Sequence, residues 1–478
     1  MRWIIAGGVI GVVTLGLVVW WNLRPPPPYV VVLEKTQAGT PASPDEQAEE
    51  SADELVAPIS GDLSDATKAR AEFDRVNRLP NDEQRLGSLH ALGVALAERN
   101  PEEAIAFYES LPAGPERDEV AVGIFQTWAR KDAPAAAARA TAMPAGELAS
   151  YLLAETLSIW TGAAPETAAQ WAQALPDEKQ RGAALAAVAE GWSARDHTAA
   201  AAWASALPEG ESRDAAMSAV VAPWAAQDPQ GAVAYAQTIV TAELREAAIS
   251  DVMAEWGTSS PAAAAKWVQE NLNLSESDGP LISLLIAWTS TDAPTALEWM
   301  NAIPDREARS GAAPQFFAAW AGLDPERAAA ALNTLKDPKL REGAAFGLMT
   351  TWAENDPASA ANWLARQPQP VQLSGIELVV EPLTQADSRQ AALWVASLPA
   401  GQVRDRGLGT FAEGIFRADP KQALTTAMSI QHPMSRDQQV SKLLARWLKS
   451  SPAEAKSWIA SQKLSPTLRA KLEKVTRS

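Results

Sequence analysis

Tryptophan returns every 32 residues along most of this chain. Trp128, Trp160, Trp192, Trp224, Trp256, Trp288, Trp320 and Trp352 form one column. A second column stands 11 residues later, in Trp171, Trp203, Trp267, Trp299 and Trp363, with Tyr235 in one place. After one deleted residue the same phases recover Trp394, Trp447 and Trp458. Of the 19 tryptophans, three precede the repeats and the other sixteen all fall on these two phases. A period of this length restricts the chain to stacked units, because one unit alone cannot cover its own apolar face.

Two further columns give the unit its grammar. Alanine recurs at Ala104, Ala136, Ala168, Ala200, Ala232, Ala264, Ala296, Ala328, Ala360, Ala391, Ala423 and Ala455. Proline recurs at Pro80, Pro112, Pro144, Pro176, Pro208, Pro304, Pro368 and Pro399, after an apolar residue at each but Pro368. Motifs such as Asp228-Pro229, Asp324-Pro325, Asp356-Pro357 and Asp419-Pro420 open a first helix, A: the aspartate caps the free amides, and proline loses nothing at the first helical position. Between Pro165 and Pro176, Ala168, Trp171, Ala172 and Leu175 make the stripe of an amphipathic helix. The residue before a proline is pushed out of the α region, which ends helix A. Helix B then runs from about Glu178 to Ala194, with Leu185, Val188 and Trp192 on one face. The expected fold is all-α, an α-solenoid of about thirteen 32-residue helix pairs over residues 63–478.

By period and helix-pair grammar, this region resembles the αα-superhelix repeats of tetratricopeptide and HEAT proteins. The tetratricopeptide period is about 34 and its W-x2-L-G-x2-Y pattern is absent here; HEAT units are longer, at about 40 residues or more. The resemblance implies the architecture and a general tendency to bind proteins or peptides. It transfers no binding residue.

Ahead of the repeats, Trp3 to Trp21 form an uncharged run of 19 residues flanked by Arg2 and Arg24. As a helix it would be about 29 Å long, the thickness of a bilayer core. The expectation is one transmembrane anchor over residues 1–24. A cleaved signal peptide is the alternative, but the run ends in Trp20 and Trp21 rather than small residues. Arg2 and the α-amine place the N-terminus in the cytoplasm and the repeats across the inner membrane, in a bacterial periplasm. Residues 25–62 open with Pro25–Pro28 and carry acids with little to bury, the composition of a disordered tether.

The chemistry of the chain is mostly excluded by what it lacks. Without cysteine it has no disulfide, thiolate metal site or cysteine nucleophile. A net charge of −17 argues against nucleic acid as a partner. His90, His197 and His432 lie in different repeats and cannot converge in a stack where each unit touches only its neighbours. No phosphate loop or hydrolase motif is present. No catalytic residue, metal or cofactor is therefore expected. The tryptophans read as core rather than as a ligand-stacking surface.

Arginine forms its own column at Arg85, Arg117, Arg181, Arg213, Arg245, Arg309, Arg341, Arg404 and Arg436, near the start of helix B, where the helix dipole disfavours a cation. It reads as an inter-repeat ladder to loop carbonyls or capping aspartates, with an anion-binding stripe as the alternative. From Met434 to Ser478 ten bases face three acids, so the end of the array is basic. Arg469, Lys471, Lys474 and Arg477 are the candidate partner-binding residues. The expected function is a membrane-anchored, non-enzymatic scaffold binding a protein or peptide in the cell envelope. The alternative is a peptidoglycan-binding accessory to an envelope enzyme.

Overall fold

Aspartate followed by proline begins helices here as the capping rule requires. In a computed structural model of the chain, Asp228 Oδ1 accepts the Gly231 amide at 3.0 Å, Asp356 that of Ser359 at 3.0 Å, and Asp419 that of Gln422 at 2.9 Å. The structure describes residues 59, 63, 65–272 and 278–462. Among them are 22 continuous helices, three of them broken by one non-helical residue: Asp132, Asp196 or Asp292. Each break is again an aspartate accepting an amide of the next turn, so the two arms are a helix B and the following helix A. Counted by arms, the described residues hold twelve A–B pairs and a thirteenth helix A.

The chain divides into two compact units, Met1–Trp192 and Ser193–Ser478. The first contains α1 (Ala66–Val76), α2 (Asp82–Arg99), α3 (Pro101–Ser110), α4 (Pro115–Thr141), α5 (Glu147–Ala163), α6 (Pro165–Gln173) and the first arm of α7 (Glu178–Ser205). The second contains the rest of α7, then α8 (Glu211–Ala225), α9 (Pro229–Ala236), α10 (Ala242–Ser259), α11 (Pro261–Asn271), α12 (Gly279–Ala302), α13 (Arg306–Leu323) and α14 (Pro325–Leu332). It continues with α15 (Pro338–Asn355), α16 (Pro357–Leu364), α17 (Gln369–Ala386), α18 (Ser388–Ser397), α19 (Gln402–Ile415), α20 (Pro420–Met428), α21 (Pro433–Ser450) and α22 (Pro452–Ser461). Within each unit, successive B helices pack side by side, α19 and α21 excepted, and A helices pack against their neighbours in sequence.

The columns explain the packing. All twelve column alanines are buried. The first tryptophan column is buried too, except at the half-buried Trp224, and the second is mostly half-buried against it. The pairs Trp160–Trp171, Trp288–Trp299, Trp352–Trp363 and Trp447–Trp458 have ring centroids 5.8, 5.8, 6.1 and 6.3 Å apart, tilted as the ring quadrupole prefers. Three glycines, Gly93, Gly123 and Gly347, let B helices touch through their backbones. A Cβ on Gly123 would lie 2.2 Å from the His90 carbonyl oxygen, and one on Gly347 would lie 1.8 Å from that of Pro314.

One expectation is corrected. Among the described residues no helix is long and apolar enough to cross a membrane. Their long helices are amphipathic: α4 opens on Glu116, Arg117 and Asp118, and α12 carries Asp292 and Glu298. The fold class that the structure supports is thus an all-α repeat stack with no membrane-spanning helix among the described residues, and the single-pass inner-membrane placement with periplasmic repeats is withdrawn. The run Trp3–Trp21 and, apart from Ile59, the segment 25–62 lie outside the described residues.

The arginine column resolves into two kinds. Arg85, Arg181, Arg245, Arg309 and Arg341 each donate to the carbonyl six residues earlier, the apolar residue that ends helix A: Leu79, Leu175, Ile239, Ile303 and Leu335. The ladder is within the repeat rather than between repeats. It places the guanidinium at the negative end of helix A, which offsets its position at the start of helix B. The other four, Arg117, Arg213, Arg404 and Arg436, are each followed by aspartate. At two of these positions the aspartate carries an inter-repeat bond. Asp214 accepts the amide and hydroxyl of Thr241, and Asp405 accepts the amides of Gln431 and His432, each in the loop before the next helix B.

Candidate functional site

Side chains on adjacent B helices meet at a fixed separation of 29 residues, one period less one helical turn. His90 Nδ1 stands 3.1 Å from Glu119, and Gln126 donates to Glu155 at 2.9 Å. In the second unit Arg406 pairs with Glu377 at 3.2 Å, and Lys442 with Glu413 at 2.5 Å. Elsewhere these rung positions hold small residues, as where Gly279 faces Ser250 and Gly343 faces Pro314. Charged rungs are concentrated on α17, α19 and α21.

At that place the stack opens. The backbones of α19 and α21 stand apart, leaving a groove of about 1540 Å³ bounded on its far side by α17. Three causes are visible in the residues. Gly407, Gly409 and Gly414 lie within α19, each costing roughly 1 kcal/mol of helix propensity relative to alanine and presenting no side chain. The tryptophan column also lapses. Leu383 and Ile415 accept the junction amides of Asp387 and Asp419, the bond that Trp352 makes with Asp356, so they occupy its place with less bulk. Finally, α19 starts at Gly401 with φ +139°, a backbone that favours glycine, and without a side-chain cap.

Long polar side chains span the gap. Gln439 Nε2 donates to the Gly409 carbonyl at 3.1 Å and to Glu413 at 3.0 Å. Glu413 also takes Lys442 and lies 4.0 Å from Arg446, whose guanidinium sits 4.4 Å above the Phe416 ring. Burial pushes the Glu413 carboxyl up, but the hydrogen bonds from Lys442 and Gln439 and the Arg446 charge outweigh it and hold it below its ordinary value. Arg406 is fixed by Glu377 and by the Leu373 carbonyl at 2.8 Å. The rest of the lining is amide and carboxylate: Gln385, Gln402, Gln431, Gln438 and Glu381, over a floor of glycine. Apolar lining is limited to Ile430 and Pro433 beside the glycines. This is a surface for hydrogen bonding, with Glu377 and Glu413 already paired across the rungs.

Of the residues singled out from sequence, Arg469, Lys471, Lys474 and Arg477 lie outside the described residues. His90 and His197 are far from the groove in sequence: His197 stacks on Trp224 at 4.7 Å, and His90 belongs to a rung of the first unit. His432 does line it, in the loop where α21 begins. The glutamines and glycines of the groove went unread in the sequence. A signal existed, in the Gly-Leu-Gly run at 407–409 and the two missing tryptophans.

No protein-family profile matches the chain, and no curated protein matches it. Among solved structures it is similar to a chain from the work titled "Structure of the Pds5-Scc1 complex and implications for cohesin function". The identity is 12%, the TM-score is 0.24, and the match covers 82% of this chain and 74% of that one. A likeness at that level carries no argument about function, and the groove is read on its own chemistry.

Proposed function

We propose that this chain is a protein-binding repeat scaffold, non-enzymatic in its own right, that holds an extended polypeptide segment in the groove between α17, α19 and α21. The observation that carries the reading is the amide lining. A strand-like peptide presents alternating N–H and C=O groups, and each glutamine side chain offers two donors and one acceptor to match them. The glycine floor lets a backbone approach closely. The rungs leave the groove walls preorganised, which lowers the ordering cost of binding. Glu377, Glu381, Asp405 and Glu413 outnumber Arg406 and Arg446 in the lining, so neutral or basic segments fit better than acidic ones.

The test is a peptide display library panned on the full chain and on a Gly409→Trp variant. A Cβ at Gly409 meets nothing closer than the Gln439 side chain at 3.8 Å, so the indole enters the groove rather than the core. Enriched peptides are expected to bind the parent and to lose at least about tenfold in affinity on the variant, the loss of roughly 1.4 kcal/mol. Equal binding to both proteins, with helicity intact, sinks the reading.

A further inference from the structure

The groove has a histidine where four other repeats carry a capping aspartate or asparagine. Asn81, Asp177, Asp305 and Asp337 cap their B helices with a side-chain oxygen. At α21 the capping residue is His432, exposed, whose Nδ1 accepts from the Ser435 amide at 3.4 Å and lies 3.1 Å from the Ser435 hydroxyl. A neutral imidazole with its proton on Nε2 can accept there; an imidazolium has two N–H groups and no acceptor. Its positive charge would also stand at the positive end of the helix.

A second bond converges on the same residue. The amides of Gln431 and His432 donate to the two oxygens of Asp405 at 2.9 Å each, the latch that joins α19 to α21. Asp405 is buried. The other charges nearby are Arg404, on the Asp405 helix; Arg406, held by Glu377; and Arg436, 3.7 Å from Asp437 on the His432 helix. Asp405 is thus the carboxylate that holds the backbone amide of the capping residue itself.

We propose that His432 is a pH-sensitive cap. Neutral, it closes the first turn of α21 and leaves Asp405 to the loop amides. Protonated, it gives up the cap and frees the first turn of α21 beside the latch, loosening the groove wall. Acidification that protonates the imidazole thus opens this wall, while the asparagine and carboxylate caps keep their acceptors. The consequence for ligand binding rests on the peptide-groove reading; the switch itself does not.

The experiment is hydrogen exchange of the full chain, followed over residues 429–440 at about pH 5.5 and about pH 7.5 and corrected for the intrinsic rate. Exchange is expected to be about fivefold to tenfold faster at the lower pH, the worth of a helix cap. His432→Asn keeps a neutral acceptor and is expected to abolish the difference, and the same window around Asp305 serves as an internal control. No pH difference in the parent, or the same difference in His432→Asn, overturns the proposal. Binding of a selected peptide is measured at both pH values in the same samples. A pH-dependent exchange without peptide binding leaves the switch standing and removes only the ligand.

Discussion

Asp214 holds Thr241 by two bonds, accepting its amide at 2.8 Å and its hydroxyl at 2.6 Å. The pair ties the start of one helix B to the loop before the next. Asp214 is buried, and burial alone would raise its carboxyl. The bonds from Thr241 and the Arg213 charge outweigh burial and hold it below its ordinary value.

A depressed carboxyl has a definite pH sign. Its contribution to stability is complete above the unfolded-state value, near pH 4, and is lost as pH falls through the lower folded value. Asp214→Asn keeps one acceptor but buries an amide without a partner. It is expected to destabilise the surrounding repeats by about 1–3 kcal/mol at neutral pH. The gap between parent and variant should narrow on acidification below about pH 4, read from urea midpoints across pH.

The alanine column leaves no room for a larger side chain. Ala232 and Ala264 are fully buried, so Ala232→Leu or Ala264→Leu is expected to cost roughly 1–3 kcal/mol through overpacking. Thermal unfolding of either variant checks this.

Arg245 donates through one nitrogen to Ile239 and Val240, at 2.8 and 3.1 Å. Arg245→Lys keeps the charge but not the planar fork, and an expected loss of ~0.5–1.5 kcal/mol follows. Adding salt should change that difference little, because the bond is to carbonyls and not to a carboxylate. A strong salt dependence would instead mark an anion-binding stripe.

Gly347 faces the Pro314 carbonyl across the α13–α15 crossing, with no space for a methyl group. Gly347→Ala is expected to cost at least about 2 kcal/mol, since two backbones must part. Gly409→Ala, in the groove, should instead be neutral or stabilise α19 by up to about 1 kcal/mol. The contrast, measured by denaturation, separates a glycine required for packing from one that opens the groove.

The period, the helix boundaries and the core columns were legible because each depends on local rules. Asp228-Pro229 starts a helix wherever it occurs, and a tryptophan every 32 residues must return to the same face. Helix B was read from Glu178 to about Ala194 and runs to the break at Asp196. The arginine column was visible as a pattern, but not its bonds. Read along one helix, Arg181 looked misplaced at a positive helix end. Only the fold-back of the A–B turn shows that it also stands at the negative end of the preceding helix, 2.8 Å from the Leu175 carbonyl.

What the sequence by itself determined was thus the unit: two amphipathic helices, their caps, and the residues each must hide. Tertiary structure alone decided how units face one another. The 29-residue rungs that pair Glu377 with Arg406 and Glu413 with Lys442 depend on the offset between adjacent B helices, which no local propensity encodes. The groove beside them depends on a small difference: two places of the tryptophan column filled by Leu383 and Ile415, and glycines in α19. Side-chain volume sets how closely neighbouring helices approach, and that distance exists only once the helices are stacked.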